Sequence, residues 1–354
     1  MSTEVSIAAS ATACAHPNLA LVKYWGQLDP VLNLPANSSI SLNLSGAITK
    51  TTVRFARGLE SDQVMINGAP PRAEAHHRVC DHLDRVRTLA DISLRAEVVS
   101  TSDFPSAVGF ASSSSAFAAL SLAAATAAGL DLDERELSIL ARKGSGSACR
   151  SVPDGFVEWV AGRDDQTSYA RQLLPGEYWD LHVITVVWET GQKSVSSTQG
   201  HRVAPTSPFY SARLERIGSI LEAVRSALIE RDFATLGMTA EREAMSLHAV
   251  AMTSRVKEMP WMSGIYYLSP QTLGLMLAVQ RWRRKGLRVY FTLDAGPTVH
   301  LLCEGRDVNA VVGAVEAHLQ SEAATGADIV QSTPGRGAWL CNKEGGAMVA
   351  PPST

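Results

Sequence analysis

Hydrophobic and polar positions in the first half of the chain switch between two periods. SISLNLSGAITKTTVRFA (39–56) alternates polar with β-branched or aliphatic residues, the period-two pattern of paired strands. In HHRVCDHLDRVRTLADI (76–92) apolar residues recur at the 3.6-residue spacing of a surface helix. LRAEVVS (94–100) reads as a strand. It leads through DFPSAVG into FASSSSAFAALSLAAATAAGL, an Ala/Ser helix that Gly129 can end in a left-handed conformation. DLDERELSILARKG (131–144) opens on Asp caps and closes on Lys and Gly, so this second helix carries favourable charge at both ends. GFVEWVAG and LHVITVVWET read as strands.

The texture changes at GQKSVSSTQGHRVAPTSP (191–208), which is polar and turn-rich. Helices are predicted beyond it at 209–232, 233–252 and 269–286. Two strands follow, LRVYFTLDAG and TVHLLCEG, then a helix, VNAVVGAVEAHLQSE. The tail from about 333 is rich in Gly and Pro and predicts no element. There is no internal repeat. The pattern predicts an α+β protein with mixed sheets and two domains, 1–190 and 191–354.

Composition narrows the class. The chain has 354 residues, 45% hydrophobic and 19% charged, which is ordinary for a soluble globular protein. A formal charge of −3 gives no general affinity for nucleic acid or for an anionic membrane, so any anion site must be local. The longest apolar run, 116–130, is too short and too weakly hydrophobic to span a bilayer. The N-terminal stretch carries Glu4 and no basic start, unlike a signal peptide. Five cysteines (Cys14, Cys80, Cys149, Cys303, Cys341) form no CxxC pair, and reduced thiols in a cytoplasm are the expectation. Cys149 reads as a buried small side chain, because no histidine is placed locally to activate it.

Four segments carry candidate chemistry. In PSAVGFASSSSAF (105–117) a glycine and four serines open a helix, where unsatisfied N–H groups and hydroxyls suit an anion; a well-capped helix is the other reading. GSGSACRS (144–151) can offer hydroxyls and N–H groups to one anion while Arg150 forks onto a carboxylate or phosphate. In YFTLDAGPTVHLL (290–302), Asp294 interrupts an apolar strand beside a glycine turn, either as a turn-former or as a base over a pocket. In PNLALVKYWG (17–26), Lys23 ends an apolar run, where it either snorkels outward or meets a buried acid.

Together these segments resemble the mevalonate diphosphate decarboxylases of the GHMP kinase superfamily. The matching stretches are NLALVKYWG, NLPANSSISLNLS, DFPSAVGFASS, ARKGSGSACRS, SVSSTQG and FTLDAGP, spread over residues 18–297. The resemblance implies the two-domain GHMP kinase fold, with a ribosomal-protein-S5-like N-terminal domain and the active site in the cleft. It implies a homodimer and an ATP- and Mg2+-dependent decarboxylation of a phosphorylated mevalonate, through phosphorylation of its C3 hydroxyl. By position, Asp294 would be the base, Lys23 its charge partner, Arg150 the grip on the substrate carboxylate, and Asn18 a neighbour of the reacting centre. Tyr24, Gln27, Ser145, Gly146, Ser147, Thr198, His201 and Ala295 would meet the substrate. Ser100, Ser102, Gly109, Ala111, Ser112, Ser113 and Ser114 would line the nucleotide site. The metal ligands stay unassigned.

Three departures from the family pattern bear on the substrate. KYWGQLD stands where relatives read KYWGKRD, so Gln27 and Leu28 replace two cations. His201 stands where relatives carry Met, and Pro153–Asp154 brings an acid after the CRS motif. Fewer cations and an added acid point to mevalonate 5-phosphate, giving isopentenyl phosphate. The alternatives are the 5-diphosphate, with another base such as Arg202 compensating, or a 3-kinase that stops before decarboxylation.

Overall fold

The computed structural model describes residues 10–104, 112–188, 194–321 and 326–342. In chain order its strands are β1 (Ala11–Ala15), β2 (Asn18–Val22), β3 (Gln27–Asp29), β4 (Leu34–Pro35), β5 (Ser39–Asn43), β6 (Thr49–Ala56), β7 (Gln63–Ile66), β8 (Arg95–Ser102), β9 (Phe156–Val160), β10 (Tyr169–Leu174), β11 (Leu181–Trp188), β12 (Tyr290–Thr292), β13 (Val299–Glu304), β14 (Ala327–Ser332) and β15 (Ala338–Leu340). The α-helices are α1 (Ala73–Ala90), α2 (Ser112–Ala127), α3 (Glu134–Gly144), α4 (Ser197–Val203), α5 (Tyr210–Glu230), α6 (Phe233–Thr253), α7 (Pro270–Arg284) and α8 (Val308–Ser321).

The strands form two layers in the N-terminal half, ordered β15-β1-β6-β8-β7 and β10-β9-β5-β2, and one in the C-terminal half, ordered β12-β13-β11-β14. α2 is Ala-rich and apolar nearly all round, and it is buried against β1, β6 and α3. Gly129, at φ +79°, turns the chain after it, as its position in the sequence predicts. The Asp133 carboxylate caps α3, accepting the Glu136 N–H while Glu136 reaches back, a reciprocal capping box. α5 and α6 are separated by Arg231, left-handed at φ 54°, and by Asp232, which caps α6. Both pack on β2, carrying the C-terminal half onto the N-terminal one. Among the described residues no helix is long and apolar enough to cross a membrane.

Three local expectations change. The polar stretch after 191 contains α4, opened by the Ser196 hydroxyl accepting the Gln199 N–H, a cap that apolar periodicity does not register. The Gly/Pro-rich tail contains β15, which pairs antiparallel with β1. That pairing places Cys14 beside Cys341, with Cα atoms 6.1 Å apart, and the two form a disulfide; Cys80, Cys149 and Cys303 are free thiols. The expected reduced state is therefore corrected at this pair. At a separation of 327 residues it leaves no spacing signal.

Candidate active site

β2 is buried throughout and delivers Lys23 at its C-terminal end, where its register against β5 shifts between Ala20 and Val22. The Lys23 ammonium donates to the Ala20 carbonyl at 2.5 Å and to Asp294 Oδ1 at 2.8 Å. Lys23 is 1% exposed, whereas the Asp294 carboxylate is 30% exposed and faces a cavity of about 510 Å³. Burial is the largest single influence and would raise the Asp294 carboxyl, but the opposing groups together, the adjoining Lys23 ammonium chief among them, hold it below the usual carboxylate range. Burial lowers the Lys23 ammonium in turn, and Asp294 and Glu243 oppose that shift. Asp294 is thus an ionised, partly open carboxylate at neutral pH, able to accept a proton.

Arg150 is on the same wall, buried in the 3-10 turn Gly146–Ser151. Its Nε and Nη2 donate to Asn18 Oδ1 at 3.2 and 3.0 Å, and its Nη1 donates to Ser39 Oγ at 2.8 Å. Asn18 is fixed from the other side, donating to the Ser147 carbonyl at 2.9 Å and to Ser151 Oγ at 2.8 Å. Neutral partners leave the guanidinium charge uncompensated at short range, so an anion in the cavity is the natural counter-charge.

Tyr24, Gln27 and His201 form a neutral wall. His201 stacks on Tyr24 at 4.0 Å, and its Nδ1 accepts the Gly26 N–H at 3.1 Å. That bond leaves the proton on Nε2, and burial pushes the imidazole down to about 3, so the ring is an uncharged donor. Gln27 Nε2 donates to Asn33 Oδ1 at 2.8 Å, and Asn33 Nδ2 donates to the Arg142 carbonyl at 3.0 Å. Gln27 Oε1 and Tyr24 Oη are buried and, among the described residues, make no regular hydrogen bond. Gly146 is required where it stands, since a Cβ would lie 2.9 Å from the Tyr24 ring. Gly26 is equally constrained: it sits at φ +98°, and a Cβ would meet Tyr210 Oη at 2.0 Å.

The cavity therefore gathers Lys23, Tyr24, Gln27, Ser113, Ser145, Gly146, Ser147, Arg150, Thr198, His201, Asp294 and Ala295, with Asn18 directly behind Arg150. Ser145 Oγ donates to Ser113 Oγ at 3.2 Å, joining the two serine-rich segments. Ser112 and Ser114 flank Ser113 without lining the cavity; Ser114 Oγ takes the Asn18 N–H. Ser100 and Ser102 are not brought there. Their hydroxyls pair across the sheet with Thr51 and Thr49, each at 2.9 Å. Gly109 and Ala111 lie outside the described residues. Asp154 is also elsewhere: its carboxylate accepts the Gly337 N–H at 2.7 Å, so it adds no acid to the cavity. Cys149 is buried, its thiol pushed up to about 12 by burial and donating to the Gly146 carbonyl.

Sequence reasoning missed the rim. Arg78 and Arg85 on α1, and Lys143 at the end of α3, line the cavity beside Arg202. On α1 the two arginines are seven residues apart, one face of the helix, which is the only signal they leave.

Two family models match the chain: the diphosphomevalonate decarboxylase-like N-terminal domain over residues 15–170, and the mevalonate 5-diphosphate decarboxylase C-terminal domain over residues 183–345. The chain belongs to the diphosphomevalonate decarboxylase family. A diphosphomevalonate decarboxylase of Candida albicans is 33% identical over 329 residues, 87% of this chain and 88% of that one. A phosphomevalonate decarboxylase of Haloferax volcanii is 33% identical over 306 residues, 86% and 91% of the two chains. A solved structure of MDDEF in complex with MVAPP, AMPPCP and magnesium is 36% identical, with a TM-score of 0.87 over 95% of this chain and 99% of that one. The fold is thus the two-domain GHMP arrangement, as the sequence motifs imply.

Proposed function

We propose that this decarboxylase acts on mevalonate 5-diphosphate, yielding isopentenyl diphosphate, CO2, ADP and phosphate. The observation that carries the reading is the Lys23–Asp294 pair, opening on the same cavity as the buried Arg150 guanidinium. As a member of its family the chain is an ATP-dependent carboxy-lyase that uses ATP and Mg2+.

The residues present fit a nucleotide. Ser113, in the first turn of α2, lines the cavity and would offer a phosphate its hydroxyl. ATP supplies the phosphoryl group that makes the tertiary C3 oxygen a leaving group. Asp294 accepts the proton of the C3 hydroxyl, and Lys23 keeps that carboxylate ionised. Arg150, backed by Asn18 and Ser39, aligns the substrate carboxylate so that its C–C bond electrons flow toward C3 as CO2 leaves. No pyridoxal or thiamine is needed, because the departing phosphate takes the bonding pair.

The rim supports the diphosphate. The same cavity carries Arg78, Arg85, Lys143 and Arg202 beside the carboxylates Glu74 and Asp81, and Lys143 already pairs with Asp165 at 2.7 Å; Arg85 and Arg202 are the substitutes for the cation missing at Gln27. Gln27 itself, and the Haloferax volcanii relative, favour a second reading in which the substrate is mevalonate 5-phosphate. Comparing kcat/KM for the two substrates decides between them; a clear preference for the monophosphate overturns the first. Asp294→Asn should abolish turnover and leave ATP binding intact, and retained turnover would remove Asp294 from the reaction. The homodimer and cytoplasmic placement implied by the sequence resemblance belong to the same proposal, and sedimentation of the purified protein tests the first.

A further inference from the structure

Lys23 stands in the N-terminal half of the chain, yet the other half holds its backbone. The Glu243 carboxylate on α6 accepts the Lys23 N–H at 3.2 Å. Arg213 on α5 donates Nη2 to the Lys23 carbonyl at 2.8 Å and to the Glu243 carboxylate. Asn37 closes the ring: its Nδ2 donates to the same carbonyl at 2.9 Å, and its Oδ1 accepts from Arg213 Nη1 at 3.1 Å. The Arg213 and Glu243 side chains are 1% and 0% exposed. One buried ion pair thus takes both backbone polar groups of a single residue.

A buried ion pair is a poor source of stability, because desolvation offsets its attraction and apolar residues of like size serve as well. Among the described residues Glu243 Oε2 and Arg213 Nε are also buried with no hydrogen-bond partner, a further cost. What it does achieve is location. Lys23 follows the register shift in β2, where the sheet ladder stops specifying the backbone, and its ammonium must meet Asp294, which follows β12 in the C-terminal half.

We propose that Arg213 and Glu243 are positioning residues that bind Lys23 to the C-terminal half, so that its ammonium stays on Asp294 when the cleft admits and releases ligands. The inference rests on the reading of Lys23 and Asp294 as the reacting pair. The charged and titratable groups facing Lys23 are Asp294, Glu243 and His248 on α6, His300 on β13, Arg213 and Arg150.

The test uses the full-length enzyme with ATP, Mg2+ and mevalonate 5-diphosphate. Glu243→Gln keeps a hydrogen-bond acceptor for the Lys23 N–H but removes the charge. It should lower kcat at least tenfold while KM for ATP changes less than twofold. With an anion gone, Lys23 loses its proton more readily, so the alkaline limb of kcat should move to lower pH. The limb shift reports the lost charge whatever the role, whereas a merely structural role would not produce the KM-against-kcat split. Arg213→Lys should lower kcat similarly, because a single ammonium cannot grip Glu243, Asn37 and the carbonyl together. Wild-type kcat with an unmoved limb in folded Glu243→Gln overturns the proposal. If that variant does not fold, Asn37→Ser decides by the same readouts: it should lower kcat about threefold or more, and an unchanged kcat overturns the proposal. Turnover retained in Asp294→Asn would sink the catalytic reading, whereas loss there with full activity in Glu243→Gln would sink the positioning role alone.

Discussion

Gln27→Lys restores a cation to the neutral wall and asks how many phosphates the wall was built to hold. Gln27 is half-buried; its Nε2 is tied to Asn33 at 2.8 Å, and among the described residues its buried Oε1 makes no regular hydrogen bond. A lysine there loses that neutral hydrogen bond, about 1 kcal/mol, and gains a charge-assisted one to a phosphate oxygen, about 1.5–3 kcal/mol. Partial burial of the ammonium takes back a fraction of the difference, leaving about 0.3–1.5 kcal/mol, or roughly 2- to 12-fold in kcat/KM. The gain should fall on the diphosphate, whose outer phosphate carries the additional charge. ADP release with each substrate, at fixed ionic strength and saturating ATP, gives the ratio of the two kcat/KM values before and after substitution. That ratio should rise by about the same 2- to 12-fold. An unchanged ratio, or equal gains on both substrates, would show that Gln27 does not meet the phosphate end.

Arg150→Lys should uncouple the two halves of the reaction, since a lysine cannot bond Asn18 and Ser39 in the guanidinium's forked geometry while also gripping a carboxylate; released 14CO2 should fall below released ADP, and a ratio of one refutes the assignment. The Asp294 carboxyl is held below the usual range, so kcat should persist into mild acid and fall only as pH drops through that lowered value. An acid limb near neutrality in a pH profile of kcat would contradict this. Reducing the Cys14–Cys341 disulfide, which closes a loop of more than 300 residues, should cost about 2–4 kcal/mol of stability. Urea unfolding with and without dithiothreitol measures it, and coincident midpoints would refute it.

The cavity floor proposed as catalytic could be picked out in the sequence because each part sits in a short segment with its own physical signature: a lysine ending an apolar strand, an aspartate before Ala-Gly-Pro, an arginine after Gly-Ser-Gly-Ser. The helices from α5 onward were equally plain from their periodicity. Arg213 and Glu243 were not, because each looks like an ordinary charge on an amphipathic helix until tertiary packing turns it onto Lys23. The rim arginines on α1 escaped for the same reason. Asp154 shows the opposite error: closeness in sequence to the CRS motif suggested closeness to the substrate, but a turn aims its carboxylate at Gly337. Local pattern identifies which residue types a site draws on, and long-range pairing decides which of them arrive.

The return of β15 to β1 has a consequence for the order of assembly. As the chain is synthesised, β1 emerges among the first elements and its neighbour among the last, with Cys341 following Cys14 by 327 residues. Until then the N-terminal sheet has a bare edge at β1, open to pairing with other chains. Fragments cut near the domain seam should inherit that defect, and expression of the N-terminal half alone is therefore expected to give aggregates rather than a folded domain. Its sheet is finished by a strand that the other half delivers.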